Sequence, residues 1–164
     1  MVKRILALAL CALLIFSIAS CDDTKPDETQ NTARDYYIDH IGVRIEVGAD
    51  AMPTIIRLGQ YTREVGEACG TDEMDVIYTF DSFEIETHIS GGDEYIRRIK
   101  ILNDAIETPE GITIGSSRDD VIKAYGKGYT EGSGGTLRYE GNSSAIEIYF
   151  GASGNVSNIY IKTK

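Results

Sequence analysis

The chain has 164 residues, of which 16 are Lys or Arg and 26 are Asp or Glu, for a net charge of −10. That balance argues against a nucleic-acid partner and against a protein lying flat on an anionic membrane. The cysteines are Cys11, Cys21 and Cys69, and only Cys69 lies beyond the N-terminal segment, so no disulfide is expected to staple the fold.

The N-terminal residues read as an export signal. Lys3 and Arg4 form a short basic region, and ILALALCALLIFSIAS is an apolar run ending in small residues. It is too short and wrongly flanked for a stable membrane span. The run closes on Ile18-Ala19-Ser20-Cys21, which resembles the lipobox of bacterial lipoproteins. The resemblance implies acylation of Cys21 with diacylglycerol and cleavage before it. It implies a protein anchored to the outer face of the cytoplasmic membrane, or to an outer membrane where the host has one. Each buried methylene of such an anchor contributes about 0.8 kcal/mol. In a two-membrane cell, Asp22 after the cysteine favours inner-membrane retention. Removal of residues 1–20 takes away Lys3 and Arg4 and no acid, so the mature charge is expected to be −12.

Residues 21–35 follow as the lipidated cysteine and a tether. DDTKPDETQNTARD has no aliphatic side chain larger than alanine, too little apolar surface to offset the entropy of ordering. Such a segment spans about 20 Å on average. The folded part is expected from Tyr36 to Lys164, enough for one core.

Within it, residues 36–102 and 112–164 echo each other, with 103–111 as a connector. Ile45 and Val47 suit a strand with one buried face, broken at Gly48. Asp50 can cap a helix of about two turns that Gly59 stops. REVGEAC offers a further short strand. VIYTF, FEIETHI and YIRRIKIL then read as antiparallel strands joined at DS and SGGDE. A shift of 67 residues repeats the start of this order: Ile112, Ile114, Gly115, Ser117, Ile122, Tyr125 and Gly126 fall on Ile45, Val47, Gly48, Asp50, Ile55, Leu58 and Gly59. Ser116 or Ser117 supplies the cap, Asp119 and Asp120 favour the helix dipole, and Val121, Ile122 and Tyr125 form an apolar stripe. TLRYE, AIEIYF and VSNIYIK follow as strands, with turns at GNSS and GASGN. The expected fold is α+β. It consists of two tandem helix-plus-antiparallel-hairpin repeats sharing one antiparallel sheet, with the short helices on one face.

The stretch IGSSRDDVIKAYGK (residues 114–127) resembles the glycine, Ser/Thr, acidic, valine and terminal-glycine pattern of the BamE (SmpA/OmlA) lipoproteins. The duplication resembles the beta-lactamase-inhibitor-protein fold, which carries two such units in tandem. The earlier copy departs from the pattern at Met52-Pro53. Gln60 and Lys127 stand where a proline often follows the last glycine. The resemblance implies fold and export.

Strand alternation separates two faces. Phe83, Ile85, Thr87 and Ile89 are expected on one side, with Glu84, Glu86 and His88 on the other. In the next strand Ile99 and Ile101 are expected inside, with Ile96, Arg98 and Lys100 outside. The turn places Glu86 opposite Arg98 and Glu84 opposite Lys100, pairs that stabilise by about 0.2–1 kcal/mol each. Arg138, Glu140, Glu147, Tyr149, Asn158 and Tyr160 extend the polar side. This charged, tyrosine-bearing face is the candidate binding surface for a protein or peptide partner. The alternative is a small-ligand receptor, for a sugar or a cationic molecule, with a pocket between the repeats.

No catalytic constellation is expected, and hydrolytic activity stands as a trailing third reading. His40 and His88 lie in different elements, and no zinc, calcium-loop, phosphate-loop or nucleophile-elbow motif occurs. DEMD (residues 72–75) lacks cation-loop spacing and reads as a solvated turn. Cys69 beside Ala68 reads as a small apolar residue, with a reactive thiol as the other reading. No cofactor or metal is expected, and no nucleic acid. The implied partners are a membrane, reached through the lipid, and a protein.

Overall fold

The structure, a computed structural model, describes residues 34–66 and 73–164. The export signal, Cys21, most of the tether and Cys69 lie outside the described residues.

The first element is a hairpin of β1 (Tyr37–His40) and β2 (Val43–Glu46), which forms a two-stranded sheet of its own. The expectation of a single sheet is therefore corrected to two. The hairpin alternates: Ile38, Val43 and Ile45 are buried, while Asp39 and Arg44 are exposed. Its turn places Ile41 at φ 47 and Gly42 at φ 75. A β-branched residue rarely adopts such a conformation.

The two helices have the same length. α1 (Ala51–Leu58) is capped by Asp50, whose side chain accepts from the Met52 amide at 3.3 Å, and ends at Gly59 with φ 90. Its buried residues are Ala51, Ile55 and Leu58, one stripe at helical spacing. α2 (Arg118–Tyr125) begins at Ser117 with a reciprocal cap. The Ser117 hydroxyl accepts from the Asp120 amide at 3.1 Å, and the Asp120 carboxylate accepts from the Ser117 amide at 3.2 Å. Gly126, φ 82, donates its amide to the Ile122 carbonyl and closes the helix. Helices of eight residues have too few internal bonds to stand alone, so tertiary burial must hold them.

The second sheet has eight strands: β3 (Thr62–Val65), β4 (Met74–Thr79), β5 (Phe83–Ser90), β6 (Asp93–Ile101), β7 (Thr130–Glu131), β8 (Leu137–Glu140), β9 (Ser144–Phe150) and β10 (Val156–Thr163). Their order is β3-β4-β5-β6-β10-β9-β8-β7, and every neighbouring pair is antiparallel. The architecture is α+β, with a large antiparallel sheet and two helices. β6 and β10 meet in the middle, pairing Ile99 with Ile161 and Ile101 with Ile159. One row of core side chains runs Tyr78, Ile85, Ile99, Ile161, Ile146, Tyr139 across six strands. A second runs Phe83, Ile101, Ile159, Ile148, Leu137. These rows, both helices and the β1–β2 hairpin form one apolar cluster on one side of the sheet.

Two expectations about strands need correction. Ile96 is fully buried rather than outside. Strict alternation cannot send both Ile96 and Ile99 inward, because residues three apart in a strand face opposite ways. A bulge resolves the conflict: Glu86 pairs with Arg98 and Thr87 with Ile96, leaving Arg97 as the extra residue. β10 uses the same device, with Ser157 left between the Val156 and Asn158 pairings so that Val156 and Ile159 are both buried. Ile112 and Ile114, expected as a strand, form none. There the backbone is held in turns instead: Thr108 donates to the Ile112 carbonyl at 2.9 Å, and Thr113 donates through its amide to the Ser116 hydroxyl at 3.1 Å.

The loops entering the two helices are anchored in the same manner. The Gly48 amide donates to the Ile96 carbonyl at 2.7 Å, and the Ile96 amide to the Ala49 carbonyl at 3.0 Å. Likewise the Gly115 amide donates to the Val156 carbonyl, and the Val156 amide to the Ser116 carbonyl, both at 2.8 Å.

The chain ahead of β1 is tied to the turn between β8 and β9. The Asp35 carboxylate accepts from the Ser143 and Ser144 amides at 2.8 and 3.1 Å, and the Tyr36 amide donates to the Ser144 hydroxyl at 2.8 Å. Gly141 permits this approach, since a Cβ there would lie 2.2 Å from the Arg34 carbonyl oxygen.

The fold predicts that Ile99→Ala, at the crossing of the longer core row with the β6–β10 pair, destabilises the whole chain by about 2–5 kcal/mol. Urea unfolding followed by far-UV circular dichroism measures it. A loss under about 1 kcal/mol would contradict the described packing.

Candidate functional site

The face of the large sheet opposite the helices is lined by polar side chains in two registered rows. The first runs Glu84, Lys100, Tyr160, Glu147, Arg138 across β5, β6, β10, β9 and β8. The second runs Glu86, Arg98, Lys162, Ala145, Glu140 across the same strands. The expected pairings Glu84–Lys100 and Glu86–Arg98 are both present.

In the first row, Lys100 Nζ donates to Glu84 Oε2 at 3.0 Å. Glu147 is enclosed by three donors: Lys162 Nζ at 2.7 Å, the Tyr149 hydroxyl at 3.0 Å, and Arg138. Burial alone would raise the Glu147 pKa. The bonds from Lys162, Arg138 and Tyr149 outweigh it and hold the carboxyl below its ordinary value. Arg138 also grips Glu140, and Lys164 Nζ lies 3.2 Å from the same carboxylate. The Arg138 bond is the chief reason that the Glu140 pKa is lowered. Tyr149 moves the other way: burial and donation to the Glu147 carboxylate raise its phenol pKa.

In the second row, Glu86 binds two arginines. Arg97 donates to Oε1 from Nε at 3.0 Å and from Nη2 at 2.6 Å, and Arg98 donates to Oε2. Arg97 also reaches Asp75 Oδ2 at 3.1 Å, and Asp75 Oδ1 lies 2.8 Å from His88 Nδ1. Tyr160 packs edge-on against Tyr149 at 5.5 Å between centroids, with the Arg98 guanidinium 5.7 Å from its ring.

Glu84, Glu86, His88, Arg98, Lys100, Arg138, Glu140, Glu147, Tyr149 and Tyr160 thus share one face, and all but the separate Glu84–Lys100 pair join one chain of contacts. Arg97, Asp75, Lys162 and Lys164 belong to it as well and were not singled out in the sequence. Lys162 was within reach of alternation, two residues beyond Tyr160. The spacing of Ile96 and Ile99 was the signal for Arg97, since it demands a bulge that turns two consecutive arginines outward. The sequence places Asp75 in a solvated turn; it is instead a β4 residue facing His88. His40 lies elsewhere, edge-on to Phe83 at 5.2 Å.

The His88–Asp75 pair resembles the orienting half of a catalytic triad, but among the described residues no nucleophile contacts its ring. Among the described residues, no group of three His, Cys, Asp or Glu is placed to hold a metal ion. None of the helices among the described residues is long and apolar enough to cross a membrane. A depression on the face, about 220 Å³, is lined by Glu86, Arg97, Arg98, Lys162 and Thr163.

No protein-family model, curated protein or solved structure matches the chain.

The lowered carboxyl groups give the face a pH signature. Their stabilising effect is complete above the ordinary glutamate value of 4.5 and is lost as pH falls through their lower folded values. Asp35 adds to it: the Ser143 amide bond holds it below 3.8. The urea midpoint is expected to be flat from about pH 7 to 5 and to drop below about pH 4, with a shallower drop in Glu147→Gln. A midpoint that rises on acidification below pH 4 would contradict the described pairing.

Proposed function

We propose that this chain is an exported lipoprotein that binds a protein partner through the polar face of its large sheet, as a binding or envelope-assembly module. In this reading residues 1–20 are a signal peptide, Cys21 carries the lipid, and the residues between Cys21 and the Asp35 clasp tether the folded part to the membrane surface. The folded part is built from two copies of one unit, each a capped eight-residue helix followed by antiparallel strands, joined at β6 and β10. The matching caps, the matching loop anchors on Ile96 and Val156, and the bulges at Arg97 and Ser157 support the duplication. The BamE-like motif and the beta-lactamase-inhibitor-protein-like doubling belong to this reading. The protein is proposed not to be an enzyme.

The observation that carries the binding role is the geometry of the polar face, which no element among the described residues covers. It is broad and registered, its buried carboxylates are satisfied, and it places Tyr149 and Tyr160 together near its middle. Tyrosine and arginine over satisfied polar groups are the residue types that anchor protein interfaces. The depression lined by Glu86, Arg97, Arg98, Lys162 and Thr163, about 220 Å³, falls short of the roughly 300–1,000 Å³ typical of small-molecule sites, which weighs against a small ligand at that point.

Two outcomes are expected. Cys21→Ala should move the protein from the membrane fraction to the soluble fraction and abolish labelling by radioactive palmitate; membrane retention with no label would refute the anchor. Affinity capture from detergent-solubilised membranes of the source cell should recover a partner with the wild type. Tyr149→Ala or Tyr160→Ala should lower recovery about tenfold while leaving circular dichroism unchanged. Equal capture by all three would count against the face.

A further inference from the structure

The polar face gathers positive charge in an acidic chain. Arg97, Arg98, Lys100, Arg138, Lys162 and Lys164 line it, against the carboxylates of Asp75, Glu84, Glu86, Glu140 and Glu147. Those six are more than a third of the 16 Lys and Arg residues of the chain, and the five acids are under a fifth of its 26. Glu64 and Asp93 lie on the same side by register, so the face is close to neutral and the rest of the chain carries most of the negative excess.

Depth sharpens the asymmetry where β6 meets β10. The carboxylate side chains there are sunk: Glu86 is 9% exposed and Glu147 11%. The cations that hold them stand above: Arg97 is 45% exposed, Arg98 43% and Lys162 36%. A partner approaching from solvent meets guanidinium and ammonium groups first. An arginine carries five N–H donors, and the Glu86 bond engages one nitrogen of Arg98. Glu86, Arg97, Arg98, Lys162 and Thr163 line the depression of about 220 Å³.

We infer that this depression, at the junction of β6 and β10, is the docking point for a carboxylate-bearing side chain on an acidic segment of the protein partner. The inference rests on the binding role of the face and deepens it by naming the partner's chemistry. An arginine matches a carboxylate through two parallel N–H···O bonds, and Lys162 supplies a point charge beside it. The negative remainder of the chain repels an acidic partner everywhere else, so charge selects the face as well as the contact. Tyr160, its ring 5.7 Å from the Arg98 guanidinium, and Tyr149 packed against it offer apolar area to the same segment to one side of the point.

The test uses the full chain and a dye-labelled hexaglutamate peptide, read by fluorescence anisotropy at low ionic strength. Hexaglutamine and inorganic phosphate are the controls. Arg98→Gln and Lys162→Gln are suitable variants because each buried carboxylate keeps a second cation, Arg97 on Glu86 and Arg138 on Glu147. Hexaglutamate should bind and hexaglutamine should not. Each variant should weaken binding about tenfold, whereas Lys123→Gln on α2 should not. Added salt should weaken the wild type steeply. No binding of hexaglutamate, or equal binding by all variants, overturns the inference. So does phosphate that displaces the peptide at concentrations matching its own carboxylates, which would mark a site for small anions. Partner capture lost in Tyr149→Ala but kept in Arg98→Gln and Lys162→Gln would remove the acidic contact and leave the face's binding role intact.

Discussion

The antiparallel pairing of β6 with β10 is the contact on which the rest of the molecule depends. Ile99, Ile101, Ile159 and Ile161 meet there, each at most 1% exposed. Without that pairing, both rows of core side chains would end in water, at about 1.5–3 kcal/mol for each large aliphatic group exposed. Two strand edges would also open in the middle of the molecule, each a template for unwanted association. The outer edges are of another kind. β7 is two residues long, and β3 is four residues, all exposed and including Arg63 and Glu64. The long strands are central and the short ones peripheral, as a lone open sheet requires.

The same pairing builds the polar face. It brings Lys100 beside Tyr160 and Arg98 beside Lys162, so charged side chains far apart in the sequence share one face. The bulge at Arg97 serves both sides at once. It keeps Ile96 and Ile99 in the core, and it turns two arginines toward one sunken carboxylate. Core packing and surface chemistry are thus set by the same backbone irregularity. The N-terminal clasp adds a restraint at the far end, where Asp35 ties the first described residues to the turn between β8 and β9.

Local features were legible in the sequence. The capped eight-residue helices, the hairpin turns and the alternation of Glu84, Glu86 and His88 all rest on neighbouring residues, and the chain states them openly. What escaped has a specific cause in each case. The β1–β2 hairpin turns at Ile41-Gly42, and an isoleucine at φ 47 occupies a position where Asn or Asp is the usual signal. Ile112 and Ile114 imitate Ile45 and Val47, but no strand pairs with them as β1 pairs with β2. The outward turn of Arg97 follows from a spacing of three between buried isoleucines, which alternation misreads by assigning Ile96 to the wrong face. The meeting of β6 and β10 has no turn to announce it, since 54 residues of chain separate the two strands. It emerges only when both apolar faces are required to share one core.

Native-state hydrogen exchange on wild type and Ile161→Ala tests the dependence on β6–β10 most directly. If that pairing holds the sheet together, protection in β4 and β5 should fall along with protection in β8 and β9, by the same free energy, although Ile161 belongs to β10 alone. Loss of protection confined to β8, β9 and β10, with β4 and β5 unchanged, would contradict the account.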